Sequence, residues 1–484
     1  MNKEHIKTFI LILLIINSIQ LSAQIWFDKN LWPDGYAFLD SVKNVPVIRT
    51  VFGTKSAFGE EDVFAGSTKP KRIIVNGGGA REVYPADTEE YDAALRFADD
   101  VIDSFKENGA ESQSISYEQW QNLFKGKSLY IDLGYTTDGN NLNVLYSAKS
   151  SEGKFSQFSS VSGFLITPDS VTNNCTITVC DNSDRSVTEY RFKCDASKLL
   201  QYIEESTYAK QQNDTFAFEI NLDYSSESSG NVERMVELSP LVLVSVSADE
   251  ADEKNAIAEP VFKSMSELER FAEKTLPAFG YNPSSLRKTV QNDKTVVYVE
   301  NNATIRYHFD GTVEYSAVSQ KRGLKKSNSV NDCRQAVNDV LKLVREMCDE
   351  AGIRKESLNL HLCSDLMDNR ENKYDVEFEN TFGGTVVNYG NGNAVNAVVD
   401  DGYITDFKIH LANFSESENS TPLTPMLSAI DLLYVDYSRD KIAIDDVYKC
   451  FDFKAPGEIS VKWAFKIKNT DGVVVTEPDM PDRD

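Results

Sequence analysis

Four histidines, seven cysteines and an abundance of carboxylates are the side chains from which this chain of 484 residues could build a reactive centre. His5, His308, His361 and His410 stand far apart, no HExxH occurs, and no His/Cys pairing has zinc-site spacing. Ser/Lys pairs three residues apart occur at Ser151/Lys154, Ser285/Lys288 and Ser438/Lys441, but none opens a helix as an acylating serine requires. Gly77-Gly78-Gly79 follows the apolar run Ile73-Ile74-Val75 yet lacks the GK[ST] ending and glycine spacing of a nucleotide loop, so it reads as a turn. Asp400-Asp401-Gly402 lacks calcium-loop spacing and reads as a hairpin turn. Cys175, Cys180, Cys194, Cys333, Cys348, Cys363 and Cys450 contain no CxxC, and an odd number spread so widely does not read as a disulfide framework. The expectation is a non-enzymatic protein with no catalytic residue, no cofactor and no metal.

Composition narrows the partners. With 50 Lys+Arg against 75 Asp+Glu the formal charge is −25, which repels phosphate backbones, and no basic stripe offsets it. Nucleic-acid binding is therefore excluded as a working idea. Hydrophobic residues at 41% and aromatics at 11% supply enough apolar surface for packed cores, so general disorder is excluded as well.

The N-terminal segment must be placed before any domain. Lys3 and Lys7 precede an uncharged run, Thr8–Phe27, after which Asp28 and the acidic bulk follow. At ~1.5 Å per residue this run spans a hydrocarbon core of about 30 Å, and the flanking charges put the N-terminus inside and the bulk outside. The rival reading is a cleaved signal peptide. Cleavage after Ala23 would place bulky Leu21 where a small residue is preferred, and apolar character resumes at Ile25-Trp26-Phe27. Asn17, Gln20 and Gln24 recur on one helical face, where amides facing a partner helix can hydrogen-bond across it. They are the candidate partner-binding residues.

The fold class expected is α+β: a single N-terminal transmembrane helix followed by extracellular mixed domains of antiparallel sheets with packed helices. A cytoplasmic leader covers 1–7 and the anchor 8–27. An extracellular region covers 28–247, with a further division into about 28–135 and 136–247. Asp87 with Glu90 reads as a capping box opening a helix that runs to Gly109, and Ser116 with Gln119 opens a second. The acidic stretch ADEADEKNAIAEP within 248–260 reads as a linker, 261–475 as a C-terminal α+β domain, and 476–484 as a frayed tail. In the C-terminal domain Asp310-Gly311 joins a hairpin, Ser329–Ala351 is the longest helix, and Ile459–Ile467 alternates with Trp463 on its apolar face. Helix followed by antiparallel strands recurs, which suggests a duplicated unit.

Three segments carry a family resemblance: YEQWQNLFKGKSLYIDLGY at Tyr117–Tyr135, ATIRYHFDGTVEYSA at Ala303–Ala317, and KYDVEFENTFGGTVVNY at Lys373–Tyr389. Together with the Lys-bearing leader and single anchor, they make the chain resemble the YycH/YycI family of membrane-anchored accessory regulators of Gram-positive bacteria. The resemblance implies a partner, a membrane sensor histidine kinase of the WalK (YycG) type controlling cell-wall metabolism, together with a paralogous accessory protein. It implies regulation through transmembrane and extracellular contacts, and it offers no catalytic residue to carry over. The alternative is a secreted or surface-anchored module that binds a peptide or cell-wall polymer.

Overall fold

The computed structural model describes residues 66–147, 153–208, 214–220, 225–228, 231–234, 236–246, 251–300, 302–319, 323–325, 332–369, 371–390, 393–436, 442–468 and 473–475. The anchor, with Asn17, Gln20 and Gln24, lies outside these residues. Among the described residues no helix is long and apolar enough to cross a membrane.

The first region is built on seven antiparallel strands: β1 (Arg72–Gly77), β2 (Arg81–Pro85), β3 (Glu111–Ile115), β4 (Lys127–Thr137), β5 (Val161–Asp169), β6 (Asn174–Cys180) and β7 (Val187–Lys193), in the order β2-β1-β4-β5-β6-β7-β3. The pleat divides its apolar residues. Ile73, Ile131, Phe164 and Val179 lie opposite one another on one face, and Ile74, Tyr130 and Leu165 on the other. Helix α1 (Glu89–Glu107) buries Tyr91, Ala94, Ala98, Val101, Ile102 and Phe105 against the first face. The second face is covered by Trp120 of α2 (Tyr117–Leu123) together with Phe124, Phe216 and Leu243. The capping box of α2 forms as its sequence indicates, with Ser116 and Gln119 bonding each other's backbone.

Helix α3 (Gly139–Ser147) follows β4, and α4 (Ala196–Thr207) packs its buried Leu199 and Ile203 on the α1 face. Since β4 itself runs through residue 135, the region is one sheet and is not divided there. Cys175 at the start of β6 and Cys194 just after β7 are joined as a disulfide, one bridge within a set of cysteines that did not read as a disulfide framework. Cys180, Cys333, Cys348, Cys363 and Cys450 are free.

The C-terminal region is dominated by a larger mixed sheet. Two antiparallel meanders meet in it: the strands Arg287–Val290, Val296–Val299, Ala303–Tyr307 and Thr312–Ala317, then Tyr403–His410, Val395–Asp400 and Lys373–Phe382. Each meander is preceded by a helix, α5 (Met265–Thr275) and α6 (Cys333–Ala351), and these two helices pack together. Helix followed by an antiparallel meander thus occurs twice in this region. The sheet continues through Thr385–Asn388, Ile442–Asp452, Val461–Ile467 and Val473–Val475. Gly311, at φ +97°, turns the predicted hairpin, and a Cβ there would lie 2.2 Å from the Leu411 carbonyl oxygen. Helix α7 (Met426–Asp436) covers the far end.

The expected linker is instead a strand. Ala251–Glu259 pairs antiparallel with Asn413–Leu423 along nearly its whole length, and with Gly457–Ile459 on its other side. Ala256 and Ala258 point inward and are buried, so small side chains are what let three strands approach here. Val236–Leu238 also adds in parallel to Ile442–Asp452. Buried apolar residues of both regions accordingly form one contiguous core.

Candidate interaction sites

The side chains that might have formed a catalytic centre are held apart among the described residues; His5, Ser151, Ser438 and Lys441 lie outside those residues. Among the described residues no group of three or more His, Cys, Asp or Glu side chains could hold a metal ion. Ser285 donates to the Asn282 carbonyl at 2.8 Å while Lys288 pairs with Glu269 at 2.7 Å, so the two do not face each other. Lys154 donates to the carbonyls of Phe105 and Asn108. Gly77–Gly79 forms the β1–β2 turn, and Asp401 and Gly402, both at positive φ, turn the hairpin at 400–403. His308 and His410 bond Thr295 and Thr312 through Nδ1. His410 stacks on Tyr389 at 5.0 Å, and burial, reinforced by Lys408, pushes it down to about 4, which keeps it neutral.

Two other places gather polar or apolar groups that sequence reasoning did not single out. The first is a charged seam between the two regions. Lys71 and Arg72, at the start of β1, project toward the C-terminal sheet. The Arg72 guanidinium donates from Nε to Asp132 at 2.7 Å and from Nη2 to Asp446 at 3.0 Å. The Lys71 ammonium lies 3.1 Å from Glu379, 3.7 Å from Asp446 and 4.4 Å from the centre of the Tyr448 ring. All five charged side chains are at most 15% exposed. For Lys71, Arg72 and Asp446 burial opposes the charge, but neighbours of opposite sign outweigh it. They raise Lys71 and Arg72 above their ordinary values and hold the Asp446 carboxyl below its own.

Asp87 belongs to the same seam. It was expected to cap α1, yet the cap is Thr88, whose hydroxyl accepts from the Tyr91 amide at 3.2 Å. Asp87 sits at φ +70°, and its carboxylate turns outward to meet His361 Nε2 at 2.9 Å and the hydroxyl of Thr381. Burial raises its pKa, but hydrogen bonds from His361 and Thr381 outweigh that and lower it. Gly384 allows the regions to close. A Cβ on it would lie 2.9 Å from Thr88 and would also require a positive-φ backbone. Farther along, Thr137 and Asn141 donate to the Leu366 carbonyl at 3.0 and 3.1 Å.

The second place is a groove at the end of the C-terminal sheet. A cavity of about 280 Å³ lies between α7, the end of Asn413–Leu423 and the start of Val461–Ile467. Leu423, Leu432, Val461 and Trp463 give it an apolar lining, and Leu432 is 38% exposed. Trp463 is fixed by donating Nε1 to the Thr424 carbonyl at 2.7 Å. This groove stands partly on an element read from the sequence, the Trp463 strand, although the cavity beside it was not anticipated.

Comparison with known proteins supplies a fold and no family assignment by sequence. No protein-family model matches the chain, and no curated protein matches it. Among solved structures, one of an uncharacterized protein from Eubacterium rectale aligns over 50% of this chain and 87% of its own, at 11% identity and a TM-score of 0.32. The crystal structure of YycH from Bacillus subtilis aligns over 86% of this chain and 98% of its own, at 13% identity and a TM-score of 0.54. The chain therefore has a YycH-like fold.

Proposed function

We propose that this protein is a non-enzymatic, membrane-anchored accessory regulator of a two-component sensor histidine kinase governing cell-wall metabolism. The observation that carries the reading is the YycH-like fold over 86% of the chain, which agrees with a resemblance drawn independently from sequence segments in both regions. In this reading Thr8–Phe27 anchors the chain, Asn17, Gln20 and Gln24 face a kinase transmembrane helix, and the acidic bulk lies outside the cell. The Cys175–Cys194 disulfide supports export, because such bonds persist in oxidising compartments. The charged seam suits a regulator that must move as one body, since it ties the anchor-proximal sheet to the distal one.

In-cell crosslinking followed by mass spectrometry of the membrane fraction tests this. Recovery of a sensor kinase with an intact N-terminus is expected. A mature N-terminus near Gln24 with no kinase crosslink would overturn it. That outcome would favour a secreted peptide- or polymer-binding module, for which the exposed edge strand Arg287–Val290 offers a pairing surface.

A further inference from the structure

The seven-stranded sheet carries a small pocket on the face that α2 covers. Its cavity, about 90 Å³, lies between Tyr117 and Trp120 of α2, Tyr130 of β4, Ser162 of β5 and the β6–β7 hairpin that bears Arg185. Trp120 is 1% exposed and Tyr130 4%, yet among the described residues neither the indole N–H nor the phenol hydroxyl has a hydrogen-bond partner. Neither group is sealed from solvent, and both residues line the cavity. Donors so deeply placed are normally satisfied, because an unmade hydrogen bond there is costly. Ser162 accepts from the Asn182 side-chain amide at 3.1 Å, which leaves its own hydroxyl proton to donate. Arg185 stands over the Tyr117 ring at 5.4 Å, and among the described residues no carboxylate pairs with its guanidinium. Its backbone is held at φ +60°, uncommon for a residue with a side chain, and its N–H donates to the Asp181 carbonyl at 2.8 Å. Gly163 gives the Tyr130 hydroxyl its room, since a Cβ on that glycine would lie 2.7 Å from it.

We propose that this pocket binds a carboxylate, whose charge Arg185 meets while Trp120, Tyr130 and Ser162 donate to its oxygens. A guanidinium and three neutral donors line one cavity, and a carboxylate offers two oxygens with about four lone-pair sites to match them. A phosphate would bring a second negative charge that one guanidinium leaves unmatched. The Cys180 thiol borders the same space. Burial, reinforced by Asp181, pushes it up to about 11, so it stays neutral and does not repel an anion. A cavity this small admits only the end of a molecule, so the carboxylate belongs to a small free acid or to the C-terminus of a peptide. The pocket lies wholly in the first region, and its ligand does not depend on the kinase reading.

Nuclear magnetic resonance on the full-length chain in detergent, isotope-labelled at the tryptophan indole nitrogens, tests the proposal. The chain has four tryptophans, and the Trp120 signal is identified by its loss in Trp120→Phe. Propionate is expected to shift that signal saturably, and propionamide to leave it in place. Arg185→Gln, a change at an exposed side chain, should raise the apparent Kd roughly tenfold or more. Tyr130→Phe should weaken binding several-fold yet leave denaturant stability unchanged, because the lost hydroxyl has no partner in the free protein. A purely structural tyrosine would do the opposite. Trialanine with a free C-terminus separates the two sources. Tighter binding than propionate assigns the pocket to peptide ends, and weaker binding assigns it to small acids. An indole signal that no carboxylate moves, or that propionamide moves equally, would overturn the proposal. So would an Arg185→Gln chain that binds propionate as the parent does.

Discussion

The charged seam and the Trp463 groove are built on the same C-terminal sheet but treat solvent in opposite ways. At the seam, charges are driven into the interior and matched one against another, Arg72 to Asp132 and Asp446, Lys71 to Glu379. At the groove, Leu432 is left partly exposed beside an open cavity whose other apolar lining, Leu423, Val461 and Trp463, is buried, and the Trp463 indole N–H is satisfied inside the chain. Buried ion pairs add little net stability but are costly to break, so they fix one arrangement of two bodies against alternatives. A partly covered apolar groove does the reverse. It costs the fold little to change and leaves surface for something else to bury. One site ties the two regions together, and the other leaves an apolar opening at the end of the sheet.

That contrast can be broken by substitution. Asp446→Ala removes the carboxylate shared by Arg72 and Lys71, and should cost about 3–5 kcal/mol in denaturant unfolding because two buried cations each lose one of their two partners. A loss below ~1 kcal/mol would mean that the seam relaxes like a surface site. Asp87→Ala strips His361 and Thr381 of their acceptor and should cost less, about 1–3 kcal/mol.

Acid should separate the two sites next. Asp446 and Asp87 are held below their ordinary values, so their stabilisation is complete above about pH 4 and is lost as pH falls through the depressed folded values. Lys71 is raised, so its contribution is complete below about pH 10 and is lost as pH climbs through its folded value. Unfolding midpoints followed from pH 7 down to 2 should therefore fall less steeply in Asp446→Asn than in the parent. A parallel pair of curves would remove Asp446 from the acid response. The smallest effect belongs to the groove, where Leu432→Ser should shift stability by no more than ~0.5 kcal/mol. A larger loss would make the groove part of the core.

Local signals in the sequence were faithful where the structure needed only neighbours. Ser116 with Gln119 caps α2, Asp310-Gly311 turns its hairpin, and Val461, Trp463, Phe465 and Ile467 alternate into the core. Reading failed where partners lie far away. Nothing around Lys71 announces Glu379, and the D-x-x-E pattern at Asp87 was satisfied one residue later by Thr88, which released Asp87 to meet His361. Ala251–Glu259 was misread because its buried positions are Asn255, Ala256 and Ala258, while its single branched residue, Ile257, faces outward, so it lacks the apolar pattern that marks a strand. The amide face at Asn17, Gln20 and Gln24 lies outside the described residues, and crosslinking remains its test.

The parallel pairing of Val236–Leu238 with Ile442–Asp452 has a consequence for the order in which the molecule is made. The seven-stranded sheet has all its strands once residue 193 has emerged, yet Arg72 meets Asp446 only across a separation of 374 residues. During synthesis Lys71 and Arg72 of that sheet must wait for Glu379 and Asp446 until the last part of the chain arrives. Contacts so distant in sequence close slowly, and an unclosed intermediate exposes strand edges to other chains. The acidic surface of the chain, at −25 overall, then acts in time as well as in space, by keeping unfinished copies apart until the seam is sealed.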